Sequence, residues 1–569
     1  MTGYIPVTRD ALAGAATPEP DGVRGMGMGM GLHAQRPLRS NGAGEGSRRR
    51  PSRRTSNLVV LGAAVALVAP LAQALVSGGP ASAASSDVNP NGVLKYGFDL
   101  NNEFSNDFSP ATEENDCSFT VTSNIYQSMT TPGNSAIGGG VAQSWTISNN
   151  GSTVTFHIRP GLEFSNGQPV TSTDVAASYN NTKTSPLRSS LFNISSIGTP
   201  NPTTVVVNLS KPTAGDFLWA SSYIDGQIYP SDAISSQSKN PVGAGPFVLK
   251  SYQQSSSIVL AKNPKYWDSK AYPLGGIDFT QVTQGPEAAT ALTSGAVDMI
   301  EVEPENYPQL KGDPNVGISV SKSYDYMAIE LRQNTGPFAN EQVRAALEYA
   351  VDRATLNKVV FDGLGEPAYQ PVPSWSPGYS KALGASDAYN PTKAKAMLKA
   401  AGYAKGVSFE LVIPSGDATY ARAAALLQQE LANSGFTANL QQIPGADFLE
   451  DVYIKKQGDA VLSEELSNGP DLTNTFEALF ESSGFVANQL GSVNPQLTPL
   501  IVQANASLSP SLQGPLMQQI GKAVIQQGLL VPLVFMPSIV AYNKSRVGGN
   551  VEAPIGQCRS DLAGIYIKK

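Results

Sequence analysis

Residues 141–179 read VAQSWTISNNGSTVTFHIRPGLEFSNGQPVTSTDVAASY and pass from strand to turn to helix in one stretch. Within it, STVTFHIRP (152–160) alternates. Val154, Phe156 and Ile158 point one way and Thr153, Thr155 and His157 the other, the pattern of a half-buried strand. Gly161, Gly167 and Pro169 then turn the chain. Thr171 followed by Asp174 has the form of a capping box, with the acid in place of Glu, and opens a helix running to about Thr182.

The same alternation of elements continues outward. TTVVVNLS (203–210), bounded by Pro202 and Pro212, and SSIVLAKN (256–263) read as further strands. Asn340 caps EQVRAALEYAVDRATLNKVV, which reads as one helix with an apolar stripe of Val343, Leu347, Ala350, Val351 and Val359. Asn390 and Pro391 start TKAKAMLKAA, and Gly402 ends it. ATYARAAALLQQELANSG stops in the same way at Gly435. Strands and helices interleave without a fixed repeat, so the expected class is α/β.

The amino-terminal part is of another kind. Residues 1–57 are basic and aperiodic and read as disordered. Arg48, Arg49, Arg50, Arg53 and Arg54 precede an uncharged run from Leu58 to Val76, and Ala81-Ser82-Ala83 follows. Residues 58–84 therefore read as a signal sequence cleaved after Ala83 or Ala84. A retained anchor is the rival, and Pro70 and Gln73 interrupt the run it would need. Arg53-Arg54 leaves both general secretion and twin-arginine export open. No Cys stands at the cleavage point for acylation.

Composition narrows the function. The whole chain carries −7, but residues 1–83 hold nine Arg and four acids; the remainder keeps 30 basic and 42 acidic residues, a net −12. Such a body repels phosphate backbones, so no nucleic-acid partner is expected. Only His33 and His157 exist, and His157 falls on the polar face of a strand, which speaks against a Ser-His-Asp triad. There is no G-x-S-x-G elbow, no P-loop and no dinucleotide fingerprint; S-x-x-K occurs at 236–239 and 319–322 without its companions. Catalysis by carboxylates alone stays open. We expect no catalytic residues, no metal and no cofactor. Cys117 and Cys558, both beyond the cleavage site, suggest a disulfide, with two buried free thiols as the rival.

Four segments together resemble the extracytoplasmic solute-binding proteins of the peptide and nickel type, family 5. They are residues 141–179, VGAGPFVLKSYQQSSSIVLAKNPKYW (242–267), ALTSGAVDM (291–299) and PFANEQVRAALEYAVDRATLNKVVFDGLGEPA (337–368), the last running on to YNPTKAKAMLKAAGY (389–403). Trp145, Phe164 and Trp267 in them read as apolar scaffold anchors. The resemblance implies a type II periplasmic-binding-protein-like α/β fold with two lobes, joined by crossover strands near 321–331 and 531–540. Lobe I would span 87–323 with a subdomain at about 126–210, lobe II 324–533, and the chain would return to lobe I over 534–569. Cys117 and Cys558 would then share a lobe, which favours their pairing.

Functionally, the resemblance implies a monomeric receptor that captures a peptide or peptide-like solute and delivers it to ABC transporter permease subunits. A non-peptide solute, an oligosaccharide or metal chelate, is the alternative, followed by an exported hydrolase or sensor on the same scaffold. Peptide-binding relatives carry a Trp-x-x-Asp element after a second-lobe strand, its Asp pairing with the peptide's α-amino group. Here the matching stretch is GDAVLSEELSNGPDL (458–472), without the Trp, and the Asp position falls near Leu466–Asn468. Glu464 and Glu465, with Asn468 beside them, are the candidates to hold the positive end; a solvated acidic pair is their rival reading. Tyr324 and Tyr326 would line the cleft, with core packing as the rival. Trp375, on a Pro-rich loop, would cover the solute unless it is a surface residue.

Overall fold

The computed structural model describes residues 87–569, apart from 114, 134–135, 186–187, 189–190, 384–388, 468–469, 471, 507, 555 and 557. The basic segment 1–57 and the export segment 58–84 lie outside the described residues, as do Asn468 and Asp471. Among the described residues no helix is long and apolar enough to cross a membrane.

The decisive stretch folds as a strand, Thr153–Ile158, and a helix, Ser172–Thr182. Val154, Phe156 and Ile158 are buried and His157 is exposed. Thr153 departs from the alternation. It is buried because Asn149 donates to its Oγ1 and it donates in turn to Asn208 Oδ1. The Thr171–Asp174 capping box forms, with the Thr171 backbone N–H donating to Asp174 Oδ2 at 3.0 Å. Ala142–Ser148, Thr153–Ile158, Thr204–Leu209 and Ile194–Asn201 make a separate four-stranded antiparallel sheet in that order. Phe156, Phe164, Tyr179 and Phe217 fill the core beside it. Trp267 is no core anchor: it is 40% exposed, with the Arg159 guanidinium 3.8 Å from its ring centroid.

The principal sheet has eleven strands. On one side Val93–Phe98 lies parallel to Gly276–Gln281 and to Met299–Glu301. On the other Val407–Pro414 lies parallel to Phe436–Ile443 and to Ala460–Glu465. Two long antiparallel strands, Val316–Leu331 and Leu530–Asn543, join the halves. Lys322 pairs with Pro537 and Tyr326 with Phe535, and the ladder is irregular between. Before that break the outgoing strand belongs to the first lobe; after it, residues 326–331 pair with Ala460–Glu465 in the second. Each lobe has its own core, Tyr96 and Phe279 in the first, Phe338 and Phe409 in the second. The fold is thus two-lobed α/β.

One helix was expected over 341–360 and two are found, Glu341–Leu347 and Arg353–Val360. Asp352 explains the break. Its side chain accepts from the backbone N–H of Thr355 and from Thr355 Oγ1, making it the cap of a new helix. Arg353 is fully buried and bonded to the Glu348 carbonyl and carboxylate and to the Pro532 carbonyl. The break resets the helical phase, so Leu356 and Val360 face the core and Val359 is 53% exposed. Cys117 and Cys558, separated by 441 positions, form a disulfide inside the first lobe.

Candidate functional site

Two chambers lie where the lobes meet. The first, of about 50 Å³, sits at the carboxyl ends of parallel strands from both lobes, the place where open α/β sheets present ligand groups. Glu103 follows Val93–Phe98, Glu301 ends its strand and Glu303 comes just after, all from the first lobe. From the second lobe come Asp417, which follows Val407–Pro414, and Glu464, near the end of Ala460–Glu465. Asp417 is fixed by its own helix: Oδ1 accepts from the backbone N–H groups of Thr419 and Tyr420, capping Ala418–Asn433.

Like charges from two lobes facing one chamber make ionisation costly. Burial, reinforced by Glu301, pushes the Glu103 carboxyl up to about 8. Burial pushes Glu303 up to about 7. Glu464 is raised well above the carboxylate range by burial first, then by Asp325, Asp417 and Glu303. Its Oε1 is shielded from solvent and has no hydrogen-bond partner among the described residues. An acceptor so placed is suited to a donor brought in by a solute, above all a cation.

Glu465 does not join it. Adjacent residues of a strand face opposite ways. Glu464 pairs with Met327, while Glu465 pairs with Tyr326 and lies on the reverse face. There it is buried, accepts from Ser463 Oγ at 2.8 Å, and neighbours Glu330, which accepts from Tyr453 Oη at 2.7 Å. Of the expected acidic pair, Glu464 lines the chamber and Glu465 does not. Tyr326 likewise is fully buried and packs on Phe535, with ring centroids 5.1 Å apart.

The second chamber, of about 300 Å³, is aromatic. Tyr324, at the irregular point of the crossover strand, and Trp375 both line it, their ring centroids 5.8 Å apart. Trp145 and Trp219 approach from the subdomain side. Trp145, expected as a scaffold anchor, thus lines a chamber, and no local sequence signal marks Trp219, Glu103, Glu301, Glu303 or Asp417 as lining residues.

At the position expected for the family's Asp, the structure places Ser467. Its backbone N–H and Oγ donate to Asp325 Oδ1 at 2.9 and 3.1 Å, and its carbonyl accepts from Arg559 Nη1 at 2.6 Å. The Arg559 guanidinium also lies 4.3 Å from the Tyr223 ring centroid. An acid of the crossover strand and a first-lobe arginine thus both bind the Ser467 segment of the second lobe.

Comparison with known proteins places the family and the fold. The family model for bacterial extracellular solute-binding proteins, family 5 Middle, matches residues 136–486. The glutathione-binding protein GsiB of Shigella boydii is 26% identical over 430 residues, covering 72% of this chain and 82% of that protein. The binding protein AgaA of A. tumefaciens R10, solved with agropinic acid, superposes with a TM-score of 0.72 at 24% identity, covering 84% of this chain and 99% of its own. DppA of Helicobacter pylori, solved with the peptide STSA, gives 0.70 at 22%, covering 84% and 98%. The last two likenesses concern the fold.

Proposed function

Because the chain belongs to the bacterial extracellular solute-binding proteins, family 5, we propose that it is the extracytoplasmic receptor of an ABC importer and closes its lobes on a peptide or peptide-like solute. The observation that carries the solute class is the carboxylate chamber, to which both lobes contribute acids at the ends of parallel strands. A buried ammonium group must be paired, and Glu464 Oε1 supplies an acceptor that the protein itself leaves unused. The positive end of the solute meets Glu464, with Asp417 on the same lobe and Glu103, Glu301 and Glu303 across from it. A cation between the lobes also offsets the cost of ionising carboxyls that closure brings together, so binding and closure reinforce one another.

The solute is bound and released unchanged, and the protein acts as a monomer that delivers it to the permease subunits. The basic head and the Leu58–Val76 run direct export. Native mass spectrometry of protein purified from its own host tests the reading: a co-purified peptide-like mass bearing an amino group is expected. A neutral sugar or an anionic ligand in its place would replace the peptide reading.

A further inference from the structure

We propose that the aromatic chamber is the selectivity site of this receptor and accepts an uncharged, aromatic or bulky apolar group of the solute. The inference rests on reading the protein as a solute receptor, and it adds a class of side group that the carboxylate chamber does not specify. Its walls come from Ile137, Trp145 and Trp219 on the first-lobe side and Trp375, Leu472 and Met517 on the second-lobe side, with Tyr324 between them. Not one of its lining residues among those described carries a charge. The contrast with the first chamber, walled by five carboxylates, is complete. A charged group entering the aromatic chamber would lose its water and gain no counter-ion, whereas an aromatic ring would gain apolar burial and edge-to-face or stacked contact.

The geometry is that of a ready-made aromatic box. Tyr324 stands edge-on to Trp375 at an interplanar angle of 75°, and Trp375 stands edge-on to Phe535 at 68°, which fixes the indole. Lys322 Nζ lies 4.8 Å from the Trp375 ring centroid and further restrains it. About 300 Å³ is room for a side group much larger than a methyl. Because the walls belong to both lobes, an occupant bridges them, and its shape contributes to closure.

Three of the chain's four tryptophans line this chamber, so intrinsic fluorescence reports on it. The probe is N-phenyl-1-naphthylamine, a neutral aromatic amine that accepts energy from indole. Saturable binding with energy transfer is expected. Trp375→Ala and Trp145→Ala should each weaken it about tenfold, a loss of about 1.4 kcal/mol. Ser376→Glu, which sets a charge on a partly exposed lining position, should weaken it as much while circular dichroism and melting temperature stay those of wild type. Absence of saturable binding, or equal binding by wild type, Trp375→Ala and Ser376→Glu, overturns the proposal. If the probe binds as expected but no amino-terminated peptide displaces it, the chamber stands and the peptide reading of the solute falls. The two claims can therefore fail separately.

Discussion

Arg559 of the first lobe donates through Nη1 to the main-chain carbonyl of Ser467 in the second, at 2.6 Å. Ser467 is in turn held by Asp325 of the crossover strand, so three parts of the molecule meet in one polar chain. A hydrogen bond from a charged donor is worth about 1.5–3 kcal/mol, enough to shift the balance between open and closed lobes about tenfold or more. We predict that Arg559→Ala raises the radius of gyration of the solute-free protein in small-angle X-ray scattering. An unchanged scattering curve would mean that the contact follows closure and does not help to hold it.

The residue before Arg559 is Cys558, tied to Cys117. The bridge closes a long loop of the unfolded chain and fixes the segment that delivers Arg559. Replacing both cysteines by Ser should lower stability by about 6 kcal/mol in the chain-entropy account of a 441-residue separation. It should also reproduce part of the Arg559→Ala opening. Denaturant midpoints and scattering on the double variant check both; a midpoint equal to that of wild type would contradict the first.

Glu330 and Glu465 share one buried site with Tyr453 and with Arg332 nearby. Burial raises both carboxyls; Glu330 raises that of Glu465 further, whereas the hydrogen bonds with Tyr453 and Glu465 hold Glu330 lower than burial alone would, at about 7. A carboxyl whose pKa is raised on folding binds its proton more tightly in the folded state. Its contribution is whole below the unfolded value near ~4.3 and is lost as pH rises through the raised one. Wild type should therefore lose stability between about pH 5 and about pH 8, and Glu330→Gln should flatten that slope. Thermal melts at the two pH values decide it; equal slopes for the two proteins would show that the pair does not titrate in this range.

Much of this architecture is legible in the residues themselves. The alternation of 152–160 and the Thr171–Asp174 box are local, and local signals survive folding. The break at Asp352 was legible too, since an Asp three residues before the N–H it caps is a helix start; the apolar stripe overruled it, and Val359 was misplaced onto the buried face. The separation of Glu464 from Glu465 follows from strand period alone once Ala460–Glu465 is taken as a strand. The carboxylate chamber is different. Glu103, Glu301, Glu303, Asp417 and Glu464 come from the ends of four separate strands, and only the sheet order brings them together. The aromatic chamber likewise draws Trp145, Trp219 and Trp375 from distant segments, so no window of sequence contains it.

The claim that Glu464 receives the positive end of a peptide-like solute is tested most directly by titration calorimetry of tri-alanine with a free amino terminus against its N-acetylated form, on wild type and Glu464→Gln. Loss of one partner of a desolvated ion pair costs several kcal/mol, where an exposed pair costs within about 1 kcal/mol. The account predicts that the free peptide binds wild type more than about tenfold tighter than the acetylated one, and that Glu464→Gln abolishes the difference. Equal affinities for the two peptides on wild type, or a preference that survives Glu464→Gln, would contradict it.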